Sequence, residues 1–221
     1  MDLLLVLMII FIPLLADFYV KGTYKKYLKK DCSKKLCGQE VARMILDKNG
    51  LQDVYVVKTN GTLTDHYDPK RKVVRLSEAV YSGETISSLA IAAHECGHAI
   101  QDKEGYMYMR FRSFIFPFVN IATSLSYWII CIGFLLELLD MVYLGVGLTC
   151  FGLLFQIVTL PVEFDASKRA RHELNNLDVV SEEESDGVKK VLLSAALTYV
   201  AGVLASALQI LRLILIARDR D

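Results

Sequence analysis

Four long apolar stretches organise the chain. The first runs from Leu3 to Ala16 and extends to Val20 across Asp17. The second, Phe114 to Leu136, and the third, Met141 to Pro161, carry no charge. The fourth, Val191 to Ala217, is broken only by Arg212. A helix needs about 20 apolar residues to cross the hydrocarbon layer. The last three stretches therefore read as transmembrane helices. The first is marginal in length and reads as a retained anchor. A cleaved leader would place basic residues ahead of its apolar core and small residues at its end, whereas here lysines follow the core directly.

Between the first and second stretches the pattern changes. Val41, Ile45 and Leu46 have helical spacing over residues 39–48, with Gly50 as the stop. The β-prone runs Val54-Tyr55-Val56-Val57 and Thr62-Leu63-Thr64 flank Asn60-Gly61, a hairpin signal. Asp68-Pro69 marks a turn, and Lys72 to Leu76 reads as a third strand, so a small antiparallel meander is expected. A helix starts near Glu84. Ile86, Leu89, Ala90, Ala93, Gly97 and Ile100 form its apolar stripe, while His94, His98 and Gln101 share another face. The acidic run Ser181 to Asp186 reads as a solvated loop or a helix start.

The chain is 53% apolar yet carries 25 basic and 25 acidic residues, so its charges are gathered between the apolar stretches. That balance gives no reason to expect nucleic acid as a partner. Five scattered cysteines offer no disulfide framework, in keeping with a reducing compartment. Cys32 and Cys37, in a lysine-rich stretch, read as solvated thiols.

The lysines set a direction. Seven of them between Lys21 and Lys35 follow the first stretch, Lys168, Arg169 and Arg171 follow the third, and Lys189 and Lys190 precede the fourth. The link between the second and third stretches holds Glu137 and Asp140 and no base. Basic residues beside spans stay in the cytoplasm, so four spans with both ends outside satisfy each cluster; Arg212, Arg218 and Arg220 dissent. The expected organisation is an anchor over residues 1–20, a cytoplasmic region over 21–113, a transmembrane hairpin over 114–161, a cytoplasmic segment over 162–190 and a last span over 191–221. The fold class is mainly α, a multi-pass membrane protein of about four transmembrane helices with a small cytoplasmic α+β domain.

His94-Glu95-Cys96-Gly97-His98 carries the chemistry. Two histidines four residues apart on a helix project from one face and can hold one zinc ion, with Glu95 placed to take a proton from a water activated there. A catalytic zinc takes three protein ligands and keeps a position open. His66, Glu163, Asp165 and His172 are the candidates for the third. Glu163 is the choice, because it follows the charge-free third stretch and Pro161 and so sits at the cytoplasmic mouth of that span. His66 reads either as an oxyanion stabiliser or as a turn histidine held by its aspartate neighbours.

Three segments in order carry a resemblance: Gly61-Thr62-Leu63-Thr64-Asp65-His66-Tyr67-Asp68-Pro69, His94 through Gln101, and Leu160-Pro161-Val162-Glu163-Phe164-Asp165-Ala166-Ser167. They resemble the neutral zinc membrane metallopeptidases of the YugP type over nearly the whole chain. More distantly the chain looks like the CAAX prenyl protease and heat-shock membrane protease families, in which a downstream glutamate is the third ligand; that position here is Glu163. The resemblance implies a gluzincin-like core in which a strand edge, here the hairpin at 54–66, aligns the substrate. Those relatives carry an aspartate four residues after the ligand glutamate to orient a zinc histidine. This chain has Ser167 there, and Asp165 two residues after the glutamate, so either is the candidate for that contact.

The reading that follows is a membrane-bound zinc-dependent endopeptidase with Zn2+ as cofactor, Glu95 as general base, and a peptide or protein substrate at the cytoplasmic face of the cell membrane. Two alternatives are a non-enzymatic membrane protein stapled by its metal, which would need a fourth protein ligand, and a transporter. The second and third stretches lack the mid-membrane ionisable residues that transporters use.

Overall fold

The computed structural model describes residues 2–218. Arg220, one of the arginines that dissent from the orientation argument, lies outside them. The chain is mainly helical. In order its elements are α1 (Asp2–Tyr27), α2 (Gly38–Lys48), β1 (Tyr55–Thr59), β2 (His66–Asp68), β3 (Val73–Ser77), α3 (Glu78–Tyr81), α4 (Ile86–Glu104), α5 (Met107–Leu135), α6 (Leu139–Asn176) and α7 (Glu182–Arg218).

Four of these helices, α1, α5, α6 and α7, are long and apolar enough to cross a membrane. Only 6–22% of their most apolar windows is buried within the protein. Leu3, Phe114, Trp128 and Leu135 point outward at 72%, 68%, 63% and 80% exposure. That much apolar surface is tolerated only where lipid covers it.

The chain divides into two compact units. One comprises Met107–Pro161 with the chain up to Asp17 and from Leu197 on. Its interior is small: Val142 and Val146 on α6 pack with Leu213 and Ala217 on α7. Two polar pairs lie within it. Ser206 donates to Gln156 at 3.0 Å, and Arg212 reaches Asp2 at 2.8 Å. The charge that interrupts the fourth apolar stretch is thus neutralised by α1.

The other unit comprises Phe18–Tyr106 and Val162–Ala196. Its core packs Val41, Ile45 and Leu46 of α2, Val74 and Leu76 of β3, the α4 stripe, Ala170 and Leu174 of α6, and Val188 and Leu192 of α7. Each of these side chains is at least nine-tenths buried, which makes this unit the apolar interior that holds the candidate site rigid.

The sheet corrects the expected meander. Its order is β1-β3-β2, with β1 parallel to β3 and β2 antiparallel to it. Strand β3 holds the most apolar run, with Val73, Val74 and Leu76 buried, so it takes the centre and a neighbour on each side. The Asn60-Gly61 turn does not close a hairpin. Gly61 and Leu63 take left-handed conformations (φ 103° and 57°) and carry the chain across to the far side of β3. Thr62-Leu63-Thr64 lies in that connection rather than in a strand.

Other boundaries shift as well. Helix α4 begins at Ile86, where Thr85 accepts a hydrogen bond from the Ser88 amide as N-cap. Helix α6 runs unbroken through Pro161 to Asn176, so the third apolar stretch and the residues after it form one helix. The acidic run opens α7: the Glu184 carboxylate accepts from the Ser181 amide at 2.8 Å and the Ser181 hydroxyl accepts from the Glu184 amide at 3.3 Å. That reciprocal pair is a capping box. Cys32 is not a solvated thiol. It is 1% exposed, with its Sγ directed at the Val179 carbonyl; of the two, Cys37 is partly exposed.

Candidate metal centre

Helix α4 supplies two ligand candidates because one of its faces is spent on the core. Ile86, Leu89, Ala90, Ala93, Gly97 and Ile100 are all buried, which turns His94 and His98 the other way. The helix ends at Gly105, which adopts φ 67° and lets the chain leave in a left-handed cap.

Helix α6 brings the third. Gly97 lies against Ala166: a Cβ on Gly97 would stand 2.6 Å from the Ala166 carbonyl oxygen. The two backbones therefore touch, and Glu163, one turn before Ala166, meets both histidines. Its Oε2 lies 3.4 Å from His94 Nε2 and 3.7 Å from His98 Nε2. The candidate ligand atoms of the three residues all fall within 4.8 Å of one another. Ligands at about 2.0–2.1 Å from a tetrahedral zinc would be roughly 3.4 Å apart; the two separations to Glu163 are close to that spacing, so the group could hold a metal ion. Side-chain exposures of 15%, 12% and 4% for His94, His98 and Glu163 leave a narrow approach from solvent.

Each imidazole uses Nε2 toward Glu163 and is held at Nδ1 by a different residue. His94 Nδ1 lies 3.3 Å from the Ser167 hydroxyl. His98 Nδ1 lies 3.0 Å from Gln101 Oε1. Gln101 is fully buried and donates from its amide to the Val162 carbonyl and the Asp165 carboxylate, both at 2.8 Å. Asp165 accepts from Arg169 Nε at 2.5 Å, and Arg169 also reaches Glu104 at 2.6 Å. Ser167 thus stands beside one histidine, and Asp165 acts on the other through Gln101. Such contacts fix a ring's tautomer and leave Nε2 unprotonated for a metal.

Charge follows the same geometry. Burial pushes the Glu95 carboxyl up, with the neighbouring imidazoles opposing and Asp65 adding to the rise. Burial works against charge on His98, but its contacts with Glu163 outweigh this and its pKa is raised. For Glu163, burial is again overcome, here by both imidazoles, and the carboxyl is held well below the usual range. A carboxylate that stays ionised beside two imidazoles is the donor set zinc takes.

The remaining candidates lie apart from this group. His66 is exposed at the start of β2, and its Nδ1 contacts the Thr64 carbonyl at 2.8 Å. The neighbouring aspartates do not hold it: Asp65 accepts from the Ser77 amide at 2.7 Å, and Asp68 caps the Lys70 amide at 3.0 Å. His172 is exposed and contacts Asn176 at 3.1 Å. Cys96 points into the core, toward the Ala42 carbonyl. Strand β2 is tied to α4 by the Tyr67 hydroxyl, which donates to Asp102 at 2.9 Å. Gln101 and Gly97 are the residues whose parts the sequence did not disclose. Gln101 had one signal, its place three residues after His98 on the same face. Gly97 had none, since its partner lies 69 residues away on α6.

His94, His98 and Glu163, from two helices of a chain with four candidate spans, form a group that could hold a metal ion, with Glu95 beside it in sequence. Residues 2–218 match the family described as "Putative neutral zinc metallopeptidase", and the chain belongs to that family. It is 47% identical over 201 residues to the protein named "Putative membrane protease YugP" from Bacillus subtilis (strain 168), covering 91% of this chain and 89% of that one. No solved structure matches it significantly.

Proposed function

We propose that the protein is a membrane-bound zinc-dependent endopeptidase of gluzincin-like design, with its active site at the cytoplasmic membrane surface. The observation that carries this reading is the convergence of His94 and His98 Nε2 on Glu163 Oε2, with Glu95 adjoining on α4. His94, His98 and Glu163 would hold the zinc. Bound there, zinc supplies Lewis-acid polarisation of the scissile carbonyl and lowers the pKa of water.

The chain's own residues do the rest. The Glu95 carboxylate takes the proton of the attacking water and delivers it to the leaving amine nitrogen. Ser167 and Gln101 hold the imidazoles through Nδ1. His66, bound to the Thr64 carbonyl, takes no part in this scheme. Substrate is a peptide or protein segment close to the bilayer, and residues 21–113 and 162–190 form the cytoplasmic part. Among the described residues the metal-holding group has three members, which leaves a coordination position for water. That favours catalysis over a structural staple, which would be closed by a fourth protein ligand.

The test pairs metal analysis with peptide hydrolysis on the full-length protein in detergent. Wild type is expected to hold about one zinc and to cleave. Glu95→Gln should keep the metal and lose about two to four orders of magnitude in rate. Cleavage at the wild-type rate by Glu95→Gln would remove the general-base assignment, and zinc retained by Glu163→Ala would remove the third ligand.

A further inference from the structure

Helices α6 and α7 carry a second built feature. Phe164, Ser167, Lys168 and Arg171 occupy one face of α6. Lys189, Leu192, Leu193 and Ala196 occupy one face of α7 at the same spacing. Together they line a cavity of about 160 Å³ with apolar and cationic side chains and no acidic one. Arg171 Nε is buried without a hydrogen-bond partner. Lys168 also borders a cleft that holds Asp165 and Glu173, so Arg171 and Lys189 carry the argument.

We propose that this cavity binds the headgroup phosphate of an anionic phospholipid from the cytoplasmic leaflet. Charge selects an anion, and the cavity's position selects its source. Lys168 and Arg171 follow the third apolar stretch and Lys189 precedes the fourth, which puts the cationic side chains where lipid headgroups lie and where cationic clusters attract acidic lipids. The volume suits a phosphate and its first glycerol atoms, well below the 300–1,000 Å³ or so of sites that engulf a whole ligand. Leu192, Leu193 and Phe164 then meet the start of the acyl chains. The cavity also adjoins the metal centre, because Ser167 lines it and contacts His94.

Native mass spectrometry of the delipidated full-length protein tests this, with phosphatidylglycerol and phosphatidylcholine added in separate titrations. Wild type should retain the first phosphatidylglycerol about tenfold more tightly than phosphatidylcholine. The Arg171→Gln/Lys189→Gln variant should lose most of that preference while keeping wild-type zinc content. Leu193→Trp, which fills the cavity and touches no charge, should lose it too. Lys25→Gln/Lys26→Gln removes membrane-side charge outside the cavity and should keep it. Equal retention of the two lipids by wild type, or an undiminished preference in both cavity variants, overturns the proposal. An equal loss in the Lys25/Lys26 variant reduces it to general surface charge. Displacement of the lipid by millimolar inorganic phosphate assigns the cavity to a free anion instead.

Discussion

His98 shows how a single residue's chemistry is set from several sides. Its Nε2 faces Glu163 while Gln101 holds its Nδ1, and Gln101 is itself anchored by Val162 and Asp165. Replacing Gln101 by Leu removes its bonds to the Val162 carbonyl and Asp165 and frees the ring, so zinc affinity should fall about 10–100-fold, read by competition with a chelating fluorophore. Ser167→Ala should cost less, because its contact with His94 is long at 3.3 Å. The raised pKa of His98 gives a pH dependence. In the metal-free protein, stability from that raised value is fully present below the unfolded pKa and is lost as pH rises through the folded one. Zinc competes with the same proton. Apparent zinc affinity should therefore fall with decreasing pH, and the fall should begin above about 6.5, the ordinary histidine value. An affinity constant between about pH 8 and 6 would show that His98 is not a ligand.

Among the elements, the crossing of α4 and α6 decides whether a site exists. Gly97 lets the two backbones meet at Ala166. An alanine there would press its methyl group on a carbonyl oxygen that belongs to a long helix and cannot rotate away. Gly97→Ala should cost about 1–3 kcal/mol and reduce zinc content by moving Glu163 away from the imidazoles. Thermal unfolding with and without zinc measures both effects; an unchanged melting temperature and full zinc occupancy would show that the crossing relaxes freely. The sheet makes a related point. Turn chemistry at Asn60-Gly61 is a local preference, whereas the central place of β3 follows from burial of Val73, Val74 and Leu76, and burial outweighs the turn.

At the scale of the whole molecule, direction across the bilayer follows from charge. The lysines after α1 and the basic residues around the α6–α7 connection argue for a cytoplasmic face, and Arg212 carries little weight against it because Asp2 neutralises it. In a background with Cys37, Cys131 and Cys150 changed to alanine, a cysteine at Glu137 should react with a membrane-impermeant maleimide on intact cells. A cysteine at Ser181 should react only after permeabilisation. The reverse pattern would move the proposed active site to the other side of the membrane.

The four apolar stretches, the helical stripe on α4 and the histidine pair were legible in the chain because each depends on spacing within one element. Periodicity sets which residues share a face, and length sets which helices can span. The family was legible too, from three short segments in order. Tertiary structure alone decided the rest. The division of labour between Ser167 and Gln101, the mixed order of the sheet and the burial of Cys32 all turn on contacts between residues far apart in the chain. Such contacts are chosen by packing, which pairs whole surfaces at once, and no local pattern encodes its outcome.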